Sequence, residues 1–141
     1  MKKQNVLFLC AHNATRSQMA EAILSKYAGD QFEVQSAGLE PTVIDPMTIR
    51  VMNEIGLDLE GHVAKGLDRF MGKTSFQYAI IVCGRTQKNC PHLYPFAMSC
   101  FAWPFEDPAA HQGTEAERMQ KFRDVRDAIE ARILEWLRQI K

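Results

Sequence analysis

No apolar run in this chain approaches the roughly 20 residues that a membrane-spanning helix needs. Charge of one sign is not in excess either: 17 Lys and Arg balance 17 Asp and Glu, for a formal net charge of zero. That balance argues against a partner held by bulk charge, such as nucleic acid or a membrane surface. Cysteine is scarce, at four in 141 residues. A chain with 46% hydrophobic and 24% charged residues can bury a core without disulfide staples. Repeats and low-complexity tracts are absent. The opening residues hold only Val6-Leu7-Phe8-Leu9 as an apolar run, too short for a secretory signal core. These absences set the expectations: one domain over 1–141, a monomer in a reducing cytoplasm, no bound cofactor or metal, and thiols that are either chemically active or buried in the core.

What is present alternates between strand and helix patterns. Residues 4–9 end in the apolar run of a parallel strand covered on both faces. Over 16–28, Met19, Ala20, Ile23, Leu24 and Tyr27 recur at helical spacing, with Gly29 as the stop. Residues 31–36 alternate as a strand. Asp45-Pro46 opens a helix expected to reach Ile55 and stop at Gly56. A further helix is expected over 64–71. Residues 77–82 make the most apolar strand, ending at Cys83, and 98–103 a fourth, in which Cys100 is expected to be buried. Thr114 and Glu117 have the spacing of a capping box, and a stripe from Met119 through Phe122, Val125, Ile129, Ile133 and Trp136 to Ile140 marks a long final helix. The order predicts an α/β fold, a parallel sheet with helices on both faces. Such sheets bind ligands beyond the carboxyl ends of their strands.

The segment Cys10-Ala11-His12-Asn13-Ala14-Thr15-Arg16-Ser17 lies at that end of the first strand. A loop entering a helix N-terminus turns backbone N–H groups inward and adds the helix dipole, which together cradle a tetrahedral oxyanion. Residues 11–16 are therefore the expected oxyanion-binding loop. Arg16 offers a planar fork for two oxygens, a geometry lysine lacks. Asn13 tolerates a left-handed backbone in a tight loop. The same positive field favours the thiolate of Cys10, and Ser17 is placed to donate a hydrogen bond to it. Cys10 is thus the candidate nucleophile, aimed at a bound oxyanion. His12 is either an added cation near the anion or a solvent-facing loop residue.

Cys10-x5-Arg16-Ser17, continued as Gln18-Met19-Ala20-Glu21, resembles the phosphate-binding loop of the low-molecular-weight tyrosine phosphatases. More closely, it resembles the arsenate reductases built on that fold. Ser36-Ala37-Gly38 and Asp107-Pro108 fall where those families carry similar pieces. The resemblance spans essentially the whole chain. It implies a four-stranded parallel sheet flanked by helices on both faces, an oxyanion in the first loop, and Asp107 as a general acid or polar partner near Cys10.

A phosphatase needs one cysteine, because water resolves its phosphoenzyme, whereas reduction needs two electrons that a thiol pair supplies. Cys83 ends its apolar strand as Cys10 ends the first. Neighbouring strands lie about 4.8 Å apart, within the disulfide Cα range of about 4.4–6.8 Å. Cys90 follows seven residues on; in a rigid helix it would lie about 10.5 Å from Cys83, too far to bridge. The polar 84–89 segment carries no apolar stripe and can unwind cheaply. The Cys83/Cys90 pair resembles that of the thioredoxin-coupled arsenate reductases. By that resemblance Cys10 attacks arsenate, Cys83 attacks Cys10 as arsenite leaves, and Cys90 attacks Cys83 to give a disulfide that thioredoxin reduces. Phosphate and sulfate would compete for the loop.

Some relatives hold a potassium ion through positions matching Asn13, Glu21 and Ser36 plus an acid. Here Lys65 falls at the acidic position, so its ammonium is expected to replace the ion. Asp107-Pro108 is followed by Ala109-Ala110-His111, which offers no aromatic wall for a phosphotyrosine ring. The rival readings are a phosphatase whose Cys83 and Cys90 protect Cys10 from oxidation, and a zinc module built on Cys83, Cys90 and His92, which lacks a C-x2-C pair and a fourth ligand.

Overall fold

The computed structural model of the protein describes residues 3–70, 72–83 and 97–140. Four strands and three helices organise it: β1 (Gln4–Cys10), α1 (Arg16–Ala28), β2 (Phe32–Gly38), α2 (Pro46–Asn53), β3 (Phe76–Cys83), β4 (Ala97–Phe105) and α3 (Glu115–Gln139). The strands form one parallel sheet in the order β2-β1-β3-β4. β1 and β3 are central, and their continuous apolar runs are buried on both faces, as a parallel sheet requires. No helix among the described residues is long and apolar enough to cross a membrane.

The helix ends are set by their own residues. Asp45 accepts a hydrogen bond from Met47 N at 2.9 Å, with Pro46 in the first turn of α2. Thr114 and Glu117 form the reciprocal capping box of α3. Trp136 of α3 is the keystone of one sheet face. Its ring stacks on Phe32 of β2 at 5.6 Å and meets Tyr78 of β3 and Trp103 of β4 edge-on at 5.1 and 5.8 Å. One α3 side chain thereby spans three strands. Trp136→Ala is expected to cost about 3–5 kcal/mol, read as a lowered denaturation midpoint at unchanged slope. At its other end α3 is tied to α2, where Arg123 and Arg126 donate to Glu54 at 2.8–3.1 Å. The Arg123 hydrogen bonds lead in holding the Glu54 carboxyl down to about 2, so this tie loosens only in strong acid.

Two expectations fail. The helix expected over 64–71 is, among the described residues, only a 3-10 turn at Leu67–Arg69. The backbone before it is spent on the sheet: Gly38 N donates to Lys65 O at 2.9 Å, Lys65 N donates to Asn13 Oδ1 at 2.8 Å, and Gly66 bridges Gly38. A helix there would forfeit those bonds. Cys100 is exposed, not buried. β4 is an edge strand whose alternate residues Met98, Cys100, Ala102 and Pro104 face solvent, while Trp103 turns to the core. Smaller shifts extend β2 to Gly38 and β4 to Phe105, and end α2 at Asn53.

Candidate active site

β1 delivers Cys10 to the carboxyl edge of the sheet, and α1 begins at Arg16. The loop between them is compact because Asn13 takes the left-handed conformation, with φ of 52°. Asn13 is fully engaged. Its Nδ2 donates to Ser17 Oγ and Ser36 Oγ at 2.8 and 2.9 Å, and its Oδ1 accepts from Gln18 Nε2 and Lys65 N, both at 2.8 Å. That uses every hydrogen-bonding position of the amide.

The buried Cys10 sulfur receives the backbone N–H of Asn13 at 3.2 Å and lies 2.8 Å from Ser17 Oγ. Ser17 Oγ already accepts from Asn13, which leaves its hydroxyl proton for the sulfur. Two donors are thus directed at one sulfur. Ala11, Ala14 and Thr15 complete the loop; Thr15 Oγ accepts from Thr48 Oγ at 3.1 Å. Thr15 therefore makes no side-chain cap on α1, and the first turn of that helix carries no acid. The other two described helices carry side-chain caps at their N-termini, whereas no side chain caps α1, whose dipole faces the loop.

Arg16 is almost wholly buried. Its Nη1 donates to Phe105 O at 3.1 Å, and its Nη2 lies 3.8 Å from Asp107 Oδ2. Asp107 is held in turn by Ala109 N, which donates to Oδ1 at 3.0 Å. Cys10, His12, Thr15, Arg16 and Asp107 all line one cavity of about 310 Å³. His12 Nδ1 is 3.0 Å from the Glu40 carbonyl, an acceptor only, so that nitrogen carries the proton and Nε2 is left for other contacts.

The thiols expected to act together are only partly brought together. β1 and β3 are neighbours, but Leu9 pairs with Ile81, so the register puts Val82 opposite Cys10 and Cys83 one residue beyond. Cys83 pairs with Phe105 across a register shift, and it is disulfide-bonded, while Cys10 and Cys100 are free thiols. Cys90 and His92 lie outside the described residues.

Beneath the loop, Lys65 Nζ stands 3.5 Å from Glu21 Oε1 and 3.4 Å from Ser36 Oγ. Ser36 Oγ donates to Glu21 Oε1 at 2.6 Å, and His62 Nδ1 lies 3.6 Å from Glu21 Oε2. A metal cation does not fit these residues. The lysine ammonium already stands beside the carboxylate and the hydroxyl, which bond each other directly, and the carbonyl oxygen of Asn13 has both lone pairs spent.

Sequence reasoning missed two parts of the site. One is the Phe105 carbonyl on Arg16, a backbone contact with no residue-type signal. The other is the 39–46 segment, whose Thr42, Val43 and Pro46 wall the cavity. Gly38 is its trace in the sequence: a Cβ there would lie 2.7 Å from Asn13 N and 2.8 Å from Ala11 O, so only glycine lets the two loops approach.

The chain belongs to the low molecular weight phosphotyrosine protein phosphatase family, whose model matches residues 5–141. Within that class it is similar to the arsenate reductase of Shouchella clausii, 38% identical over 133 residues and 94% of each chain. It is also similar to that of Bacillus subtilis, 35% identical over 136 residues and 96% of each. Its structure resembles an arsenate reductase in the phosphate-binding state, with a TM-score of 0.81 at 27% identity over 98% of this chain and 99% of that one. It also resembles the thioredoxin-dependent arsenate reductase of Corynebacterium glutamicum, with a TM-score of 0.70 at 30% identity over 98% of this chain and 62% of that one.

Proposed function

We propose that the protein reduces arsenate to arsenite through Cys10, Cys83 and Cys90, with thioredoxin restoring the thiols. The oxyanion enters the 11–16 loop, its oxygens on backbone N–H groups of the loop and on Arg16. The Cys10 thiolate attacks arsenic(V) and an oxygen leaves as water, its proton supplied from the side of Asp107. Cys83 then attacks the Cys10 sulfur. The S–As electron pair stays on arsenic, which departs as arsenic(III), and a Cys10–Cys83 disulfide remains. Cys90 attacks Cys83 and frees Cys10, and the Cys83–Cys90 disulfide is reduced by the thioredoxin dithiol. Two thiols have become one disulfide and one arsenate one arsenite, so the electrons balance. Because the register sets Cys83 one residue past Cys10, the second step requires the end of β3 to turn toward the loop.

The observation that carries this reading is the disulfide-bonded state of Cys83 at the end of the strand beside the Cys10 strand. An oxidised Cys83 is what a thiol relay leaves behind, and the relatives named above are arsenate reductases. The test is arsenite formation from arsenate with thioredoxin, thioredoxin reductase and NADPH. Arsenate-dependent NADPH oxidation matched by arsenite is expected. Aryl phosphate hydrolysis with no arsenite would favour the phosphatase instead.

The Lys65 ammonium also makes the reaction independent of added cations. Turnover in sodium and in potassium buffers of equal ionic strength is expected to agree within about twofold, and strong activation by potassium would contradict it.

A further inference from the structure

The cavity over Cys10 is larger than its proposed substrate. Its volume is about 310 Å³, at the lower edge of the ~300–1,000 Å³ range of pockets that hold organic ligands. An inorganic oxyanion has five heavy atoms and fills a fraction of it. Beyond the loop's own polar groups the cavity is lined by Ala14, Thr42, Val43, Pro46 and Ala109, a shelf with no aromatic residue. Val43 is 77% exposed on it.

This shelf is built rather than loose. Leu39, Glu40, Thr42 and Asp45 donate their backbone N–H groups to the carbonyls of Cys10, Ala11, His12 and Ala14 at 3.3, 2.9, 3.2 and 3.1 Å. The wall is therefore laced to the same loop that would hold the anion, and needs no rearrangement to receive a ligand. The carboxylates of Asp45 and Asp107 at its margins disfavour a second negative charge there.

We propose that the shelf is a subsite for the organic group of a mono-substituted tetrahedral oxyanion, an alkylphosphonate or alkylarsonate with a compact aliphatic chain. The inference rests on the oxyanion role proposed for the 11–16 loop. Three oxygens face the N–H groups and Arg16, and the carbon substituent points outward along Val43 and Pro46. In that pose the bond opposite the Cys10 sulfur is to carbon, which is no leaving group, so such ligands are dead-end competitors of arsenate.

Titration calorimetry on the reduced protein tests this with phosphate and with methyl-, ethyl- and propylphosphonate. Each methylene is expected to lower Kd by about two- to fourfold, the upper figure being full burial of a CH2 group. Val43→Ser should flatten the chain-length series and leave the phosphate Kd within about twofold. A flat series in the parent protein, or a slope that survives Val43→Ser, would overturn the subsite while phosphate binding still supported the loop. Failure of phosphate itself to bind would overturn both. Methylarsonate offered as sole substrate should not be consumed, and its reduction would overturn the dead-end assignment.

Discussion

Arg16→Lys is expected to lower kcat/KM for arsenate by about 10²–10³-fold, the usual size of losing one preorganised donor to developing charge. The side chain is built into the site from two directions, with Nη1 on the Phe105 carbonyl at 3.1 Å and Nη2 near Asp107 at 3.8 Å. Only a planar fork can hold those contacts and still present donors to two oxyanion oxygens. Lysine keeps the charge and forfeits the geometry. The phosphate Kd should weaken in parallel, which separates the effect from a folding defect. Steady-state kinetics alongside calorimetry measure both, and near-parent kinetics for this variant would remove the arginine from the reaction.

Cys83→Ser is the second large effect. Multiple turnover should fall by more than about 10³-fold, a loss of the size seen when a member of a catalytic unit is removed. Phosphate binding should remain, because Cys83 stands one residue beyond the register partner of Cys10 and outside the loop. Cys100→Ser should leave turnover unchanged, since Cys100 is exposed on the outer face of the edge strand. A phosphatase would behave differently, keeping its rate when Cys83 is lost.

The parts of this molecule that were legible in the sequence are those decided by neighbours along the chain. The loop from Cys10 to Arg16 is one continuous strand-to-helix connection, so its residues could be placed together, including the left-handed Asn13. The capping box at Thr114 and Glu117 is likewise a matter of three residues. What escaped depends on partners distant in sequence. Residues 64–66 look helical but are held extended by Gly38 and Asn13. Cys100 sits in an apolar run, and only the position of β4 at the sheet edge decides that its side of the strand meets solvent. The one-residue offset between Cys10 and Cys83 is a register, which apolar runs buried on both faces do not encode. Lys65 is the exception, a distant residue that stands beside Glu21 and Ser36 as its aligned position implied.

A three-sulfur relay leaves a particular pair of sulfurs oxidised when one arsenate is consumed. Fully reduced protein, mixed with excess arsenate and no thioredoxin, should release one arsenite per chain in a single burst. Acid quenching, alkylation and mass mapping should then find Cys83 joined to Cys90, with Cys10 and Cys100 alkylated. A burst with all four thiols still free, or a disulfide that includes Cys100, would contradict it.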